Sequence, residues 1–105
     1  MIQLNIHEVR QNAGGGSSVV IFDAEVHLTS DGQTSVHVES VEPEDTQPGL
    51  VEEASRGILR GVEHVLQPLG MVASVRVRRL VVNSVDFKPS RFTLMTALEL
   101  KRLMG

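Results

Sequence analysis

Apolar and polar positions alternate from the start of the chain, with Ile2, Leu4 and Ile6 interleaved with Gln3, Asn5 and His7. A period of two puts one set on a buried sheet face and the other outside it, so a short first strand is predicted. Gln11 to Ser18 is polar and glycine-rich and reads as a loop. Val20, Phe22, Ala24, Val26 and Leu28 then supply the buried parity of a second strand, leaving Val19, Ile21, Asp23, Glu25 and His27 on its other face. Asp31-Gly32 is a hairpin signal, and Val36 and Val38 continue the buried parity in a third strand. With a three-residue loop, Asp31-Gly32-Gln33, Val36 comes opposite Leu28, His27 opposite His37 and Glu25 opposite Glu39.

After an acidic break, Glu42-Pro43-Glu44-Asp45, the period becomes helical, with Val51, Ala54, Ile58, Val62, Val65 and Leu69 recurring every three or four residues. Asp45 or Thr46 is expected to cap this helix, with Pro48 in its first turn and Glu52 paired to Arg56. Gly57 and Gly61 run against the pattern. Each costs about 1 kcal/mol relative to alanine inside a helix. Together with Ala54 they therefore mark a close backbone approach, to a sheet or to another helix. Pro68 and Gly70 end the helix, and a fourth strand points Val75 and Val77 inward and Arg76 and Arg78 outward. Arg79 falls on the inward parity, so a bulge or the strand's exit from the core is expected there. A last helix, Arg91 to Met104 with Ser90 as its cap, has Phe92, Leu94, Met95, Leu98, Leu100 and Leu103 almost all round it. Such a helix is buried on more than one side or meets a partner. The order is β-β-β-α-β-α, an α+β two-layer sandwich in which two helices cover one face of a four-stranded sheet and the other face is open.

At 105 residues the chain is one domain. Phe22, Phe87 and Phe92 are its only aromatics, so the core must be Val, Leu and Ile, and the stacking platforms typical of single-strand nucleic-acid binders are missing. The absence of cysteine excludes disulfides, thiol catalysis and sulfur-ligated metals. Without a signal pattern or an apolar run near 18 residues, a cytoplasmic protein with no membrane partner is expected. The net charge of −3 conceals a division. Residues 1–54 hold one basic side chain, Arg10, against ten acids, whereas residues 55–105 hold nine basic side chains against Glu63, Asp86 and Glu99. Either an acidic body carries a basic face for a phosphate-rich partner, or the two halves neutralise each other within the fold.

Neither a Ser/His/Asp nor a Cys/His nucleophile arrangement is present, and no helix carries paired histidines at ligand spacing. Gly14-Gly15-Gly16-Ser17-Ser18 lacks the Gly-Lys-Ser/Thr ending of a nucleotide loop and leads into a strand. No enzymatic activity, nucleotide or cofactor is expected. The facing pairs of the hairpin, His27 with His37 and Glu25 with Glu39, form a candidate divalent-metal cluster. The same residues also fit a solvated sheet face, or a patch that receives Arg76 and Arg78 from a neighbouring strand.

Four segments in order resemble domain IV of translation elongation factor G, which is shared by the tetracycline ribosomal-protection proteins. Arg10-Gln11-Asn12-Ala13-Gly14-Gly15-Gly16 is similar to the family's R-Q-x-G-G-x-G loop, and Ala54-Ser55-Arg56-Gly57-Ile58 to its A-V-E-K-G-I helix. Gln67-Pro68-Leu69-Gly70 running into Val75-Arg76-Val77 is similar to its G-P-L-A-G-Y-P-V-V-D-V-R-V stretch. Asn83-Ser84-Val85-Asp86 with Phe92 falls where the family has H-x-V-D and a helical phenylalanine. The resemblance implies a fold like domain 2 of ribosomal protein S5, with a left-handed crossover. It also implies contact with the small ribosomal subunit or structured RNA through a tip at Gly14, Gly15, Gly16 and Asn83 to Asp86, aided by Arg76, Arg78, Lys88 and Arg91. The family's tip histidine is Asn83 here, the aromatic after its glycines is replaced around Ser17-Ser18, and no GTPase domain accompanies the segment, so a translocase is not implied. The alternative is a protein-interaction module or homodimer that uses the all-round apolar helix and the open sheet face. Whether Arg56, Arg60, Arg76, Arg78, Lys88 and Arg91 share one face separates the two readings.

Overall fold

The structure, a computed structural model, describes residues 1–11 and 16–105. Its elements are β1 (Ile2–Arg10), β2 (Ser18–Thr29), β3 (Ser35–Val38), β4 (Val41–Glu42), α1 (Pro48–Leu66), a 3-10 turn (Gln67–Leu69), β5 (Val72–Val81) and α2 (Pro89–Met104). This is an α+β domain with a mixed five-stranded sheet and two helices, one strand more than the alternation predicts. The additional strand is the two-residue β4, which begins the segment read from sequence as an acidic break.

The predicted hairpin of the second and third strands does not form. The order across the sheet is β1-β2-β5-β3, with β4 also on β5. β5 lies antiparallel to β2 and parallel to β3, pairing Val36 with Val75 and His37 with Arg76. The reason is burial: Ala73, Val75 and Val77 are almost fully enclosed, while Val36 and Val38 are only partly covered. The richest apolar run takes the centre, and the long return through α1 supplies the connection that parallel pairing needs. The turn at Asp31-Gly32 therefore arches over the start of β5, where the Ala73 N–H donates to Thr34 Oγ1 at 3.2 Å. His27 and His37, like Glu25 and Glu39, end two strand spacings apart, roughly 10 Å, with Arg76 between them.

One sheet face is covered by both helices. Leu4, Phe22, Val26, Val75 and Val77 pack there against Ile58, Val62, Leu66, Phe92 and Leu100. Leu28, read as part of the buried parity, still pairs with Ala73 of β5 but lies beyond the end of the β1 pairing and is exposed. The bulge expected near Arg79 is present: Asp23 pairs with Arg79 and Ala24 with Val77, leaving Arg78 as the extra residue. Arg78 and Arg79 are both exposed, and Leu80 returns to the core.

α1 and α2 run side by side in the same direction. A Cβ on Gly57 would lie 2.7 Å from the Pro89 carbonyl oxygen, and one on Gly61 would lie 2.6 Å from that of Thr93 and 2.7 Å from Thr96 Cβ. The close approach predicted for these glycines is thus between the helices, and Thr93 Oγ1 donates to the Gly57 carbonyl at 2.9 Å. The helix starts differ from expectation. Gln47 and Lys88 occupy the N-cap positions without a side-chain bond, Ser90 lies inside α2, and Thr46 Oγ1 donates back to the Pro43 carbonyl. Each helix instead opens on a proline whose fixed φ suits the first turn. Among the described residues no helix is long and apolar enough to cross a membrane.

Candidate functional site

Three surfaces bear on function. The first is the open sheet face. Because β5 lies between β2 and β3, its arginines emerge with acids of the first half on both sides. Arg76 Nε is 2.8 Å from Glu39 Oε2, and its NH1 is 3.7 Å from Glu25 Oε1. Arg78 NH1 lies 3.5 Å from the other Glu25 oxygen, and His27 Nε2 lies 3.8 Å from Oε1. Arg79 forks onto both Glu42 oxygens at 3.0 Å and lies 3.9 Å from Asp23. Hydrogen bonding by Arg79 holds the Glu42 carboxyl below its usual range, while the bonds to Glu39 and Glu42 raise the basicity of Arg76 and Arg79. The patch that receives Arg76 and Arg78 is the reading that holds. Among the described residues, no group of three or more His, Cys, Asp or Glu could hold a metal ion.

The second surface is the end of the sheet where the two predicted tip segments lie. The Val19 N–H donates to the Asp86 carbonyl at 3.2 Å, joining the 83–86 turn to the start of β2 just after Gly16 and Ser17. Asn83 Oδ1 accepts from the Val85 and Asp86 N–H groups, so its side chain shapes the turn. Gly14 and Gly15 lie outside the described residues. Lys88 and Arg91 follow the turn, but Arg91 is partly buried and 2.5 Å from Glu8. Arg76 and Arg78 are not at this end: Arg76 is five residues from the end of β5, roughly 16 Å away at strand rise.

The six cations therefore do not share a face. Arg56 and Arg60 are on α1, Arg76 and Arg78 on the open sheet face, and Lys88 and Arg91 at the start of α2. Glu8, Asp23, Glu25, Glu39 and Glu42, all from the acidic half, pair with arginines of the basic half. The division of charge along the chain is largely resolved inside the fold.

The third surface is the solvent side of the helix pair. Leu69, Leu94 and Leu98 are 57%, 43% and 55% exposed. They border a groove of about 800 Å³ whose other walls include Val65, Ala97 and Met104, with His64 and Lys101 beside them. A second depression of about 470 Å³, lined by Glu53, Arg56 and Arg60, shares Ser90 and Thr93 with the first, so one seam follows both helices. Arg60, His64 and Lys101 have no ion-pair partner among the described residues. The apolar circumference of α2 signals this surface in the sequence. Nothing in the sequence signals that α1 supplies its other wall, or that these three side chains lack ion-pair partners among the described residues. No family model and no curated protein matches the chain.

Proposed function

We propose that the domain is a non-enzymatic protein-interaction module that seats an amphipathic helix with acidic flanks, from a partner protein, in the seam between α1 and α2. One observation carries this reading: the seam combines exposed leucines and His64 with Arg60 and Lys101, cations that have no ion-pair partner among the described residues, whereas the arginines of the open face are already matched to acids. Helix-in-groove recognition uses this combination, in which apolar anchors supply the affinity and flanking charge sets partner and orientation. The probe is a synthetic amphipathic peptide with leucines at positions i, i+4 and i+7 and glutamates on its flanks. Micromolar binding lost in Leu98→Asp, and at least tenfold weaker for a lysine-flanked version, is the expected result. Equal binding of both peptides, or none, rejects the reading.

A second reading is favoured by the convergence of Gly16, Ser17 and the 83–86 turn at one end of the sheet. In it the chain is a relative of elongation factor G domain IV, of the ribosomal protein S5 domain 2-like fold, and it touches the small ribosomal subunit or structured RNA through that tip. The order of elements supports it as well. Its test is co-sedimentation with small ribosomal subunits across a salt series, where phosphate contact gives affinity that falls steeply with salt.

A further inference from the structure

The two edges of the sheet are built differently. One edge is β3 and β4, four and two residues long and interrupted at Glu39-Ser40. Short, broken strands blunt an edge against further pairing. The other edge is β1, nine residues in unbroken register with β2. From Ile2 to His7 it has no proline, lysine, acid or bulge, and among the described residues no strand pairs with its outer side.

The hydrogen-bond alternation of an antiparallel ladder tells which residues of β1 are free. The Val19 N–H is used on the β5 side of β2, by Asp86. Ser18, Val20, Phe22 and Ala24 therefore direct their backbone groups at β1, to Arg10, Glu8, Ile6 and Leu4. Gln3, Asn5, His7 and Val9 then present N–H and C=O groups along the outer edge, where each needs water or another strand.

We propose that this edge joins two copies of the chain, β1 pairing antiparallel with β1 of a second copy about a two-fold axis at Asn5, so that the two sheets become one. In that register Asn5 faces Asn5 and Gln3 faces His7 on the open side, while Leu4 faces Ile6 and, toward each end, Ile2 faces Glu8 on the side continuous with the core. At the centre of the seam apolar meets apolar and amide meets amide, and no like charges meet along it. Sliding the axis to Ile6 moves Glu8, which is already held by Arg91, inward against Leu4 and adds a second mismatch, Ile2 against Arg10. α2 lies over β1 through that Glu8–Arg91 pair, so the joined sheet carries two α2 helices astride the new seam. The proposed peptide groove opens on the other side of α2, toward α1, and stays accessible in the dimer.

The test uses the absence of cysteine from the chain. At a hydrogen-bonded pair the Cα atoms lie about 5.5 Å apart, within disulfide reach. Two copies of residue 3 would be separated by about four positions, roughly 13 Å. Asn5→Cys is expected to form a covalent dimer under mild oxidation, and Gln3→Cys is not. Sedimentation equilibrium should show a concentration-dependent dimer that Asn5→Pro abolishes. Asn5→Lys, which sets two ammonium groups face to face on an exposed position, should weaken the dimer severalfold with an unchanged circular dichroism spectrum. A monomer at every soluble concentration, equal cross-linking of the two cysteine variants, or a dimer lost in Leu98→Asp and kept in Asn5→Lys overturns the proposal.

Discussion

The open sheet face and the outer side of the helix pair differ in what each leaves unsatisfied. The sheet face is dense in charge, yet Arg76, Arg78 and Arg79 all lie within 3.9 Å of carboxylates on flanking strands. The helix side exposes Leu69, Leu94 and Leu98 beside Arg60 and Lys101, which have no ion-pair partner among the described residues. A run of arginines in sequence thus says little about binding until the topology has placed their neighbours. Exposed apolar surface beside free charge remains available, and contiguous apolar patches on a domain this small mark interaction sites.

The largest effect is expected beneath the helix surface. Gly61→Ala sets a methyl against the Thr93 carbonyl and the Thr96 side chain and forces α1 from α2. Overpacking of this kind costs about 1–3 kcal/mol, only partly offset by the better helix propensity of alanine. Thermal unfolding should fall by roughly 4–8 °C per kcal/mol lost, and an unchanged midpoint would mean that the helices are not in backbone contact. Next comes Leu98→Asp, expected to weaken the glutamate-flanked peptide at least tenfold, about 1.4 kcal/mol, with little change in folding stability because Leu98 is 55% exposed. Arg76→Ala with Arg78→Ala should leave the unfolding midpoint little changed, since exposed ion pairs contribute little, and leave peptide affinity unaltered. A loss of peptide binding in that double variant would erase the contrast between the two surfaces.

The smallest effect concerns acid. Arg79 holds the Glu42 carboxyl below its usual range, so the pair's contribution is present above the unfolded-state pKa of Glu42 and is lost as pH falls through the lower folded one. Stability should therefore decline slightly more between neutral and acid pH in the wild type than in Glu42→Gln. Urea denaturation at the two pH values measures the difference.

Much of this arrangement is legible in the sequence. The period-two runs, the switch to a helical period after residue 47, and the meaning of Gly57, Gly61 and Arg79 follow from local sterics and parity. The strand order does not. Parity is preserved whether β3 pairs with β2 or stands beyond an inserted β5, so the pattern gave the same faces for both arrangements. The cost fell on the site, because a facing His/Glu cluster in one topology is an arginine–carboxylate lattice in the other. The seam was half legible, since the all-round apolar α2 announces an unburied face but not the α1 wall beside it.

The most direct measurement is an amide chemical-shift map of the folded domain titrated with the glutamate-flanked peptide and, in parallel, with a structured RNA hairpin. The account predicts that the peptide perturbs residues along the α1/α2 seam, around Arg60, His64, Leu94, Leu98 and Lys101, and that the hairpin leaves Arg76 to Arg79 in place. A silent seam, together with salt-sensitive RNA shifts across Arg76 to Arg79 and the 83–86 turn, would contradict it.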